Sequence, residues 1–455
     1  MRLFLPPLDI GDTEGFAKEK DIFGRSSLGR GMTSLLSSVS DPVVLALDGQ
    51  WGSGKTTFLK MWAGELRKSG FPVVYLDAFR NDYADDAFTA VAGEIIALAN
   101  LQRKAGATSA KIFLEKAVGA GKVILRSGLK LGLKAATLGA LDAADFENIG
   151  SDLAKEASEL EDKYVGELLT KQKQVKEVIQ AFQDALQDLP ALLNPVLSED
   201  LVPKPLVIIV DELDRCRPIF ALEILERIKH FFSVPNVHFV LGAHLGQLGN
   251  SVKVAYGNDI DSHLYLQKFI QLTVHLMDDG ERIDQWTATK FINYVIQNLD
   301  FKPEHQELAN NSKNFILHIV QSRNLSLRTI ERIMTTMALA LAFDGQINLP
   351  AEILGGLCVL KNTDPELFIK AKRGVLTFDE IRVKLAFHIV PVDSTLAYLR
   401  ERGSDIWMYF LGVEAKDDRL KAQYQDFRRW LRSSPDPQLL SWVANSVIDK
   451  LRPIK

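Results

Sequence analysis

Residues 43–58, VVLALDGQWGSGKTTF, constrain the fold more than any other stretch of this chain. A short apolar run ends in Asp48-Gly49, and TTFLKMWAGELRKSG (56–70) follows with helical periodicity closed by Gly70. A buried strand must therefore enter a tight loop and leave it as a helix. Phe58, Met61, Trp62 and Leu66 share the face this helix would bury. Gly49, Gly54, Lys55 and Thr56 satisfy G-x-x-x-x-G-K-[ST] in full. Glycines let backbone wrap a polyphosphate with its N–H groups turned inward, and the helix offers its N-terminus to the same charge. Lys55 reaches the outer phosphates in such a loop, and the Thr56 hydroxyl ligates Mg²⁺. Gly49, Trp51, Gly52, Ser53, Gly54, Lys55, Thr56 and Thr57 are assigned to the nucleotide on this basis. Trp51 is open to two readings. It packs outside the loop, as burial of a large aromatic favours, or its ring borders the nucleotide or a subunit contact.

A second segment supplies what the first lacks. LVIIVDELDRCRP (206–218) is an apolar strand ending in Asp211-Glu212. A carboxylate there holds Mg²⁺ through water. Glu212 beside it is placed to polarise an attacking water as general base. The bland alternative, an acidic strand end that is merely solvated, loses ground to the loop upstream.

Three more strands are expected: FPVVYLDAF (71–79), VHFVLGA (237–243) and FIQLTVHL (269–276). PIFALEILERIKHFF (218–232) reads as a helix between two of them. Apolar strands alternating with helices argue for a parallel α/β sheet covered on both faces. Residues 80–204 are too many for one crossover. Within them, 152–189 carry an amphipathic stripe from Leu153 to Leu186 that Pro190 is expected to end. Four divisions follow: a core of 1–100 and 201–278, a helical insertion of 101–200, a helical lid of 279–345, and a C-terminal helical partner or regulatory region of 346–455.

Composition narrows the classes. Hydrophobic residues make up 47% and charged residues 25% of 455, as in a folded globular chain. The net charge of −4 does not advertise nucleic-acid binding by the chain as a whole. Two cysteines exclude a disulfide framework and a cysteine-rich zinc site, and suit a reducing cytoplasm. No apolar run reaches the roughly 18 residues of a transmembrane helix.

Together these stretches resemble the KAP family of P-loop NTPases. WGSGKTTF is similar to its Trp-containing loop, VVYLDAFRNDYADD (73–86) to the segment around its second strand, and IIVDELDRCRP to its acidic strand. VHFVLGAHLGQL (237–248), HLYLQKFIQL (263–272) and NLSLRTIERI (324–333) resemble later blocks in the expected order, over roughly residues 20–340. The resemblance implies a sheet with the acidic strand set between others, ATP as nucleotide, and Glu212 as catalytic. Arg215 matches a signature position, either as a phosphate or inter-subunit sensor or as a surface partner of Asp214. Arg328 resembles a sensor arginine in a helical lid, where it would stabilise charge on the leaving phosphate; the alternative is an exposed arginine paired with Glu331. His244 stands where many relatives have aspartate. It either contacts the γ-phosphate or water, or is an inert loop residue.

Within 111–141, Lys122, Arg126, Lys130 and Lys134 recur every four residues and form one basic stripe on a helix. The stripe is a solvated helix face neutralised by Asp145, Glu147, Asp152 and Glu156, or it lies on an anionic membrane surface or on nucleic-acid phosphates. The expected whole is a cytoplasmic, Mg²⁺-dependent ATP-hydrolysing switch or assembly module without a transmembrane helix, at the membrane periphery if the stripe binds lipid. Its expected partners are further copies of itself or a separate effector, and the family suggests a bacterial anti-phage setting. The rival readings are a low-turnover nucleotide-binding scaffold and a membrane-surface or DNA-associated module.

Overall fold

A computed structural model describes residues 8–83, 87–104, 164–193, 203–276, 285–323, 325–342, 349–389, 394–431 and 437–449. Lys122, Arg126, Lys130 and Lys134, and most of the expected insertion, lie outside the described residues. The chain divides into two compact units. One comprises Asp9–Gly49 and Lys55–Leu276; the other comprises Met1–Leu8, Gln50–Gly54 and Met277–Lys455.

The first unit is built on five parallel strands: β1 (Val44–Asp48), β2 (Val73–Asp77), β3 (Leu206–Asp211), β4 (Val237–Ala243) and β5 (Leu272–His275). Their order across the sheet is β2-β3-β4-β1-β5. Ile209 pairs with Val240, Ala46 with Leu241, and Ala46 with Thr273 on the other side. The acidic strand β3 therefore sits between β2 and β4, as the resemblance implies. Every residue of β1, β3 and β4 is buried, which is why those runs are apolar throughout. β5 is an edge strand and keeps Leu272 39% exposed.

Helices cover the sheet: α1 (Ser26–Ser38), α2 (Lys55–Lys68), α3 (Ala78–Asn81), α4 (Ala87–Lys104), α5 (Tyr164–Leu193), α6 (Pro218–Arg227), α7 (Leu245–Tyr256) and α8 (Ser262–Leu266). Phe58, Met61, Trp62 and Leu66 are all buried under α2, and the Trp62 Nε1–H donates to Thr33 Oγ1 of α1 at 2.9 Å. Gly70 ends that helix with φ 79°, a turn other residues resist. Two expectations change. The helix predicted over 218–232 gives way after Arg227 to a wider π-type turn, Ile228–Phe232. That turn buries Phe231 and Phe232, and Phe232 packs on Phe88 and Phe182 with centroids 5.3 and 5.6 Å apart. Pro190 does not stop α5, which runs on to Leu193. A proline there removes the N–H that would bond to the carbonyl four residues back, and burial of Leu189 and Leu193 on either side of it offsets the loss.

The second unit is helical wherever it is described from Gln285 onward: α9 (Gln285–Asn298), α10 (Gln306–Arg323), α11 (Leu327–Ala342), α12 (Ala351–Thr363), α13 (Pro365–Arg373), α14 (Phe378–Lys384), α15 (Ser394–Phe410), α16 (Asp418–Leu431) and α17 (Pro437–Trp442). α12 is its axis, buried at every residue from Glu352 to Leu360. Two glycines admit its neighbours: a Cβ on Gly355 would meet Ser312 O at 3.2 Å, and one on Gly356 would meet Trp407 Cζ2 at 2.6 Å. No helix among the described residues is long and apolar enough to cross a membrane.

Candidate nucleotide site

The site grows from the carboxyl ends of β1, β3 and β4, where parallel strands hand the chain to loops. β1 delivers Asp48 and Gly49; α2 starts at Lys55. Between them Gly52 and Gly54 take φ values of 82° and 91°, which L-side chains rarely adopt, and Ser53 N donates to Gln50 O at 3.2 Å. The curved, side-chain-poor backbone fits a phosphate chain. Ser53 and Lys55 are buried, while Thr56 and Thr57 are half-buried in the first turn of α2.

Lys55 Nζ donates to the carbonyl of Gly49 at the mouth of its own loop. Burial holds the ammonium below its ordinary pKa, against the opposing charges of Asp214, Asp211 and Asp48. Those carboxylates gather close to the amine that the motif assigns to phosphate.

Asp211 ends β3 with 1% exposure. Its carboxylate accepts from Glu212 N at 2.8 Å, from the Tyr75 hydroxyl at 2.7 Å, and from the Thr56 side chain. Thr56 and Asp211, the two residues expected to hold Mg²⁺, are thus in direct contact. Burial pushes the Asp211 carboxyl above its usual range while these donors pull it back. Among the described residues no group of three or more His, Cys, Asp or Glu could hold a metal. One hydroxyl and one carboxylate fit a cation whose remaining ligands are water and phosphate oxygens, not a protein-only cage.

Glu212 turns the chain with φ 59° and ψ 28°, a left-handed conformation uncommon for glutamate. Burial raises its carboxyl pKa; Arg215 opposes this, 2.8 Å away in an ion pair. Of the two readings of Arg215, the surface pairing with Asp214 is not the one seen, because its ion pair is made with Glu212. Asp214 is itself buried. The left-handed turn and the following 3-10 turn, Leu213–Arg215, bring positions three apart together.

His244 stands at the N-cap of α7, and its carbonyl accepts from Gln247 N at 2.9 Å and Leu248 N at 3.0 Å. The capping carboxylate comes from elsewhere: Asp48 Oδ1 accepts from Leu245 N at 2.8 Å. Its Oδ2 lies 3.3 Å from His275 Nδ1 on β5. Asp48 therefore ties the ends of β1 and β5 to the start of α7.

Trp51 keeps 47% exposure. It rides on the short Gln50–Gly54 turn. Arg328 is exposed on the first turn of α11, capped by Ser326, whose Oγ accepts from Thr329 N at 3.2 Å. No ion pair joins it to Glu331 among the described residues. Within the same unit, a Cβ on Gly52 would lie 2.8 Å from Arg328 Cβ.

Three site residues escaped the reading of the sequence: Tyr75, Asp48 and Gly242. A Cβ on Gly242 of β4 would lie 2.5 Å from both Asp211 Oδ1 and Leu59 Cδ1. A glycine inside an apolar strand is itself a signal of close approach.

Among solved structures, the chain is similar to the Aeropyrum pernix ORC2 protein in its ADPNP-ADP complexes, at 14% identity and a TM-score of 0.35, over 98% of this chain and 96% of that one. It is also similar to AMPPCP-bound DnaA from Aquifex aeolicus, at 12% identity and a TM-score of 0.28, over 99% and 100% of the two chains. Likenesses at these scores carry no argument about this chain. No curated protein matches it. The KAP family P-loop domain matches residues 32–342, more than half of the chain and both phosphate-site segments. The chain belongs to the KAP family of P-loop NTPases.

Proposed function

We propose that this protein is a Mg²⁺-dependent ATPase whose nucleotide state switches its contacts with a partner or with further copies of itself. The observation that carries the reading is the contact of Thr56 with Asp211, beside buried Lys55 and next to Glu212. The loop from Gly49 to Gly54 would hold the phosphates by backbone N–H groups, joined by Lys55. Thr56 and Asp211 would hold Mg²⁺, which when bound neutralises phosphate charge. Glu212 accepts a proton as water oxygen bonds to the γ-phosphorus and the bond to the β–γ bridging oxygen breaks, leaving ADP and phosphate. Arg328, by resemblance to a lid sensor, adds positive charge to the leaving group. An anti-phage setting with a separate effector rests on the family resemblance alone. So does the choice of ATP over GTP.

Phosphate release and nucleotide retention by the purified protein test this. Lys55→Ala is expected to abolish binding, and Glu212→Gln to retain ATP while losing roughly 10²–10⁴ in turnover. Undiminished turnover in Glu212→Gln overturns the assignment of the base. A second reading, a scaffold that binds nucleotide and hardly hydrolyses it, is favoured by the engagement of Glu212 with Arg215. Bound ATP without phosphate release from the unaltered protein would select it.

A further inference from the structure

Asp211 is held from three directions, and one of them lies outside every motif. On one side β4 carries Gly242, whose missing side chain leaves room for the carboxylate. From α2, Thr56 hydrogen-bonds to it. On the other side β2 runs parallel to β3, with Tyr75 paired to Ile209 and Asp77 to Asp211. Tyr75 thus sits two residues short of Asp211 along the neighbouring strand. Its ring packs against the core between the sheet and α2, and its hydroxyl reaches Asp211 Oδ2 at 2.7 Å. Since Glu212 N takes Oδ1 at 2.8 Å, each of the two oxygens has a donor of its own.

We propose that Tyr75 is a positioning residue for the divalent cation: by holding Oδ2, it fixes the rotation of the Asp211 carboxylate so that the cation shared with Thr56 meets a preset ligand. The inference rests on the reading of the site as a cation-dependent nucleotide site. Its physical basis is general. A carboxylate on a free Cβ–Cγ bond presents many directions to a cation, and ordering it on binding costs affinity. Outer partners that orient a ligand typically contribute about 10- to 100-fold to metal affinity. A hydroxyl donated from the scaffold also leaves the oxygen's second lone pair available. Tyr75 comes from a strand of the sheet, not from a loop, so the donor's own position is fixed by backbone pairing. A purely structural tyrosine would use Asp211 only to satisfy its own buried hydroxyl, and the two roles differ in what Tyr75→Phe does.

The test uses the full-length chain with Mn²⁺ as the spectroscopic probe, read by electron paramagnetic resonance in the presence of a non-hydrolysable ATP analogue. Tyr75→Phe keeps the ring and removes the donor. It is expected to weaken Mn²⁺ at least tenfold, while the affinity for the analogue in excess chelator stays within twofold of the unaltered protein. Unchanged Mn²⁺ affinity overturns the proposal. Equal loss of Mn²⁺ and metal-free analogue binding also overturns it, because that is what a packing defect produces. Asp211→Asn separates this outcome from failure of the underlying site: if the unaltered protein and Asp211→Asn hold Mn²⁺ equally, the cation site is not here, and the role of Tyr75 falls with it.

Discussion

Arg215 Nη1 lies 2.8 Å from Glu212 Oε1, and the two side chains are 31% and 17% exposed. The pair is local, made within one turn at the end of β3, yet it engages the carboxylate that the proposed chemistry needs. The ion pair engages Oε1, and through it Arg215 would orient Glu212 toward the attacking water. Arg215→Ala is then expected to lower kcat by roughly tenfold, a fraction of the 10²–10⁴ that a general base supplies. Nucleotide affinity is expected to stay unchanged, because no binding contact shared by ground and transition states is lost. Steady-state phosphate release beside equilibrium binding of the nucleotide checks this. A rise in kcat would make Arg215 a restraint on Glu212 instead.

The sheet was legible because its chemistry is local. β1, β3 and β4 are buried on both faces, and such strands must be written as continuous apolar runs. The Gly49–Thr56 loop and Asp211-Glu212 were legible because phosphate and cation chemistry admit few residue types at fixed spacing. Tyr75 and Asp48 were not, since each acts on a partner distant in sequence: Asp211 for one, Leu245 and His275 for the other. Inside VVYLD a tyrosine reads as one more strand former. The pairing of Arg215 with Glu212 was not legible either, because it depends on the left-handed turn at Glu212.

Gly52 tests the curvature of the loop. Its φ of 82° costs an alanine roughly 1–2 kcal/mol in the left-handed region. The added Cβ would also meet Arg328 Cβ at 2.8 Å. Gly52→Ala should therefore weaken nucleotide binding by about tenfold, the equivalent of about 1.4 kcal/mol. Titration with a fluorescent ATP analogue measures it, and an affinity equal to that of the unaltered protein would mean the cradle tolerates a side chain there.

Gly242 tests the space around Asp211. Gly242→Ala puts a methyl 2.5 Å from Asp211 Oδ1 and Leu59 Cδ1 in a fully buried strand. Overpacking of this kind destabilises by roughly 1–3 kcal/mol. Urea unfolding should report that loss, and Mn²⁺ affinity should fall with it as Asp211 is displaced. Gly246→Ala is the control. It lies exposed in α7, its Cβ would come no nearer than 3.4 Å to His244 Nε2, and removing a helical glycine stabilises by roughly 0.5–1 kcal/mol.

The helical unit carries a pH dependence of its own. His318 on α10 is 1% exposed, and its pKa is lowered from 6.5 to about 4, by burial first and by the charge of Arg400 second. The folded chain thus keeps this imidazole neutral where the unfolded chain would protonate it. Between pH 6.5 and about 4 the unfolded state binds the additional proton, so stability falls as pH falls through that window and is complete above it. The loss amounts to about 3 kcal/mol over the window, at about 1.4 kcal/mol per pKa unit. His238 of β4, held down by its own burial, adds in the same direction, so the informative quantity is a difference between variants. Urea unfolding at pH 7.5 and pH 5 should show a smaller drop in His318→Leu than in the unaltered protein. Equal drops would mean that His318 is protonated without cost in the folded chain.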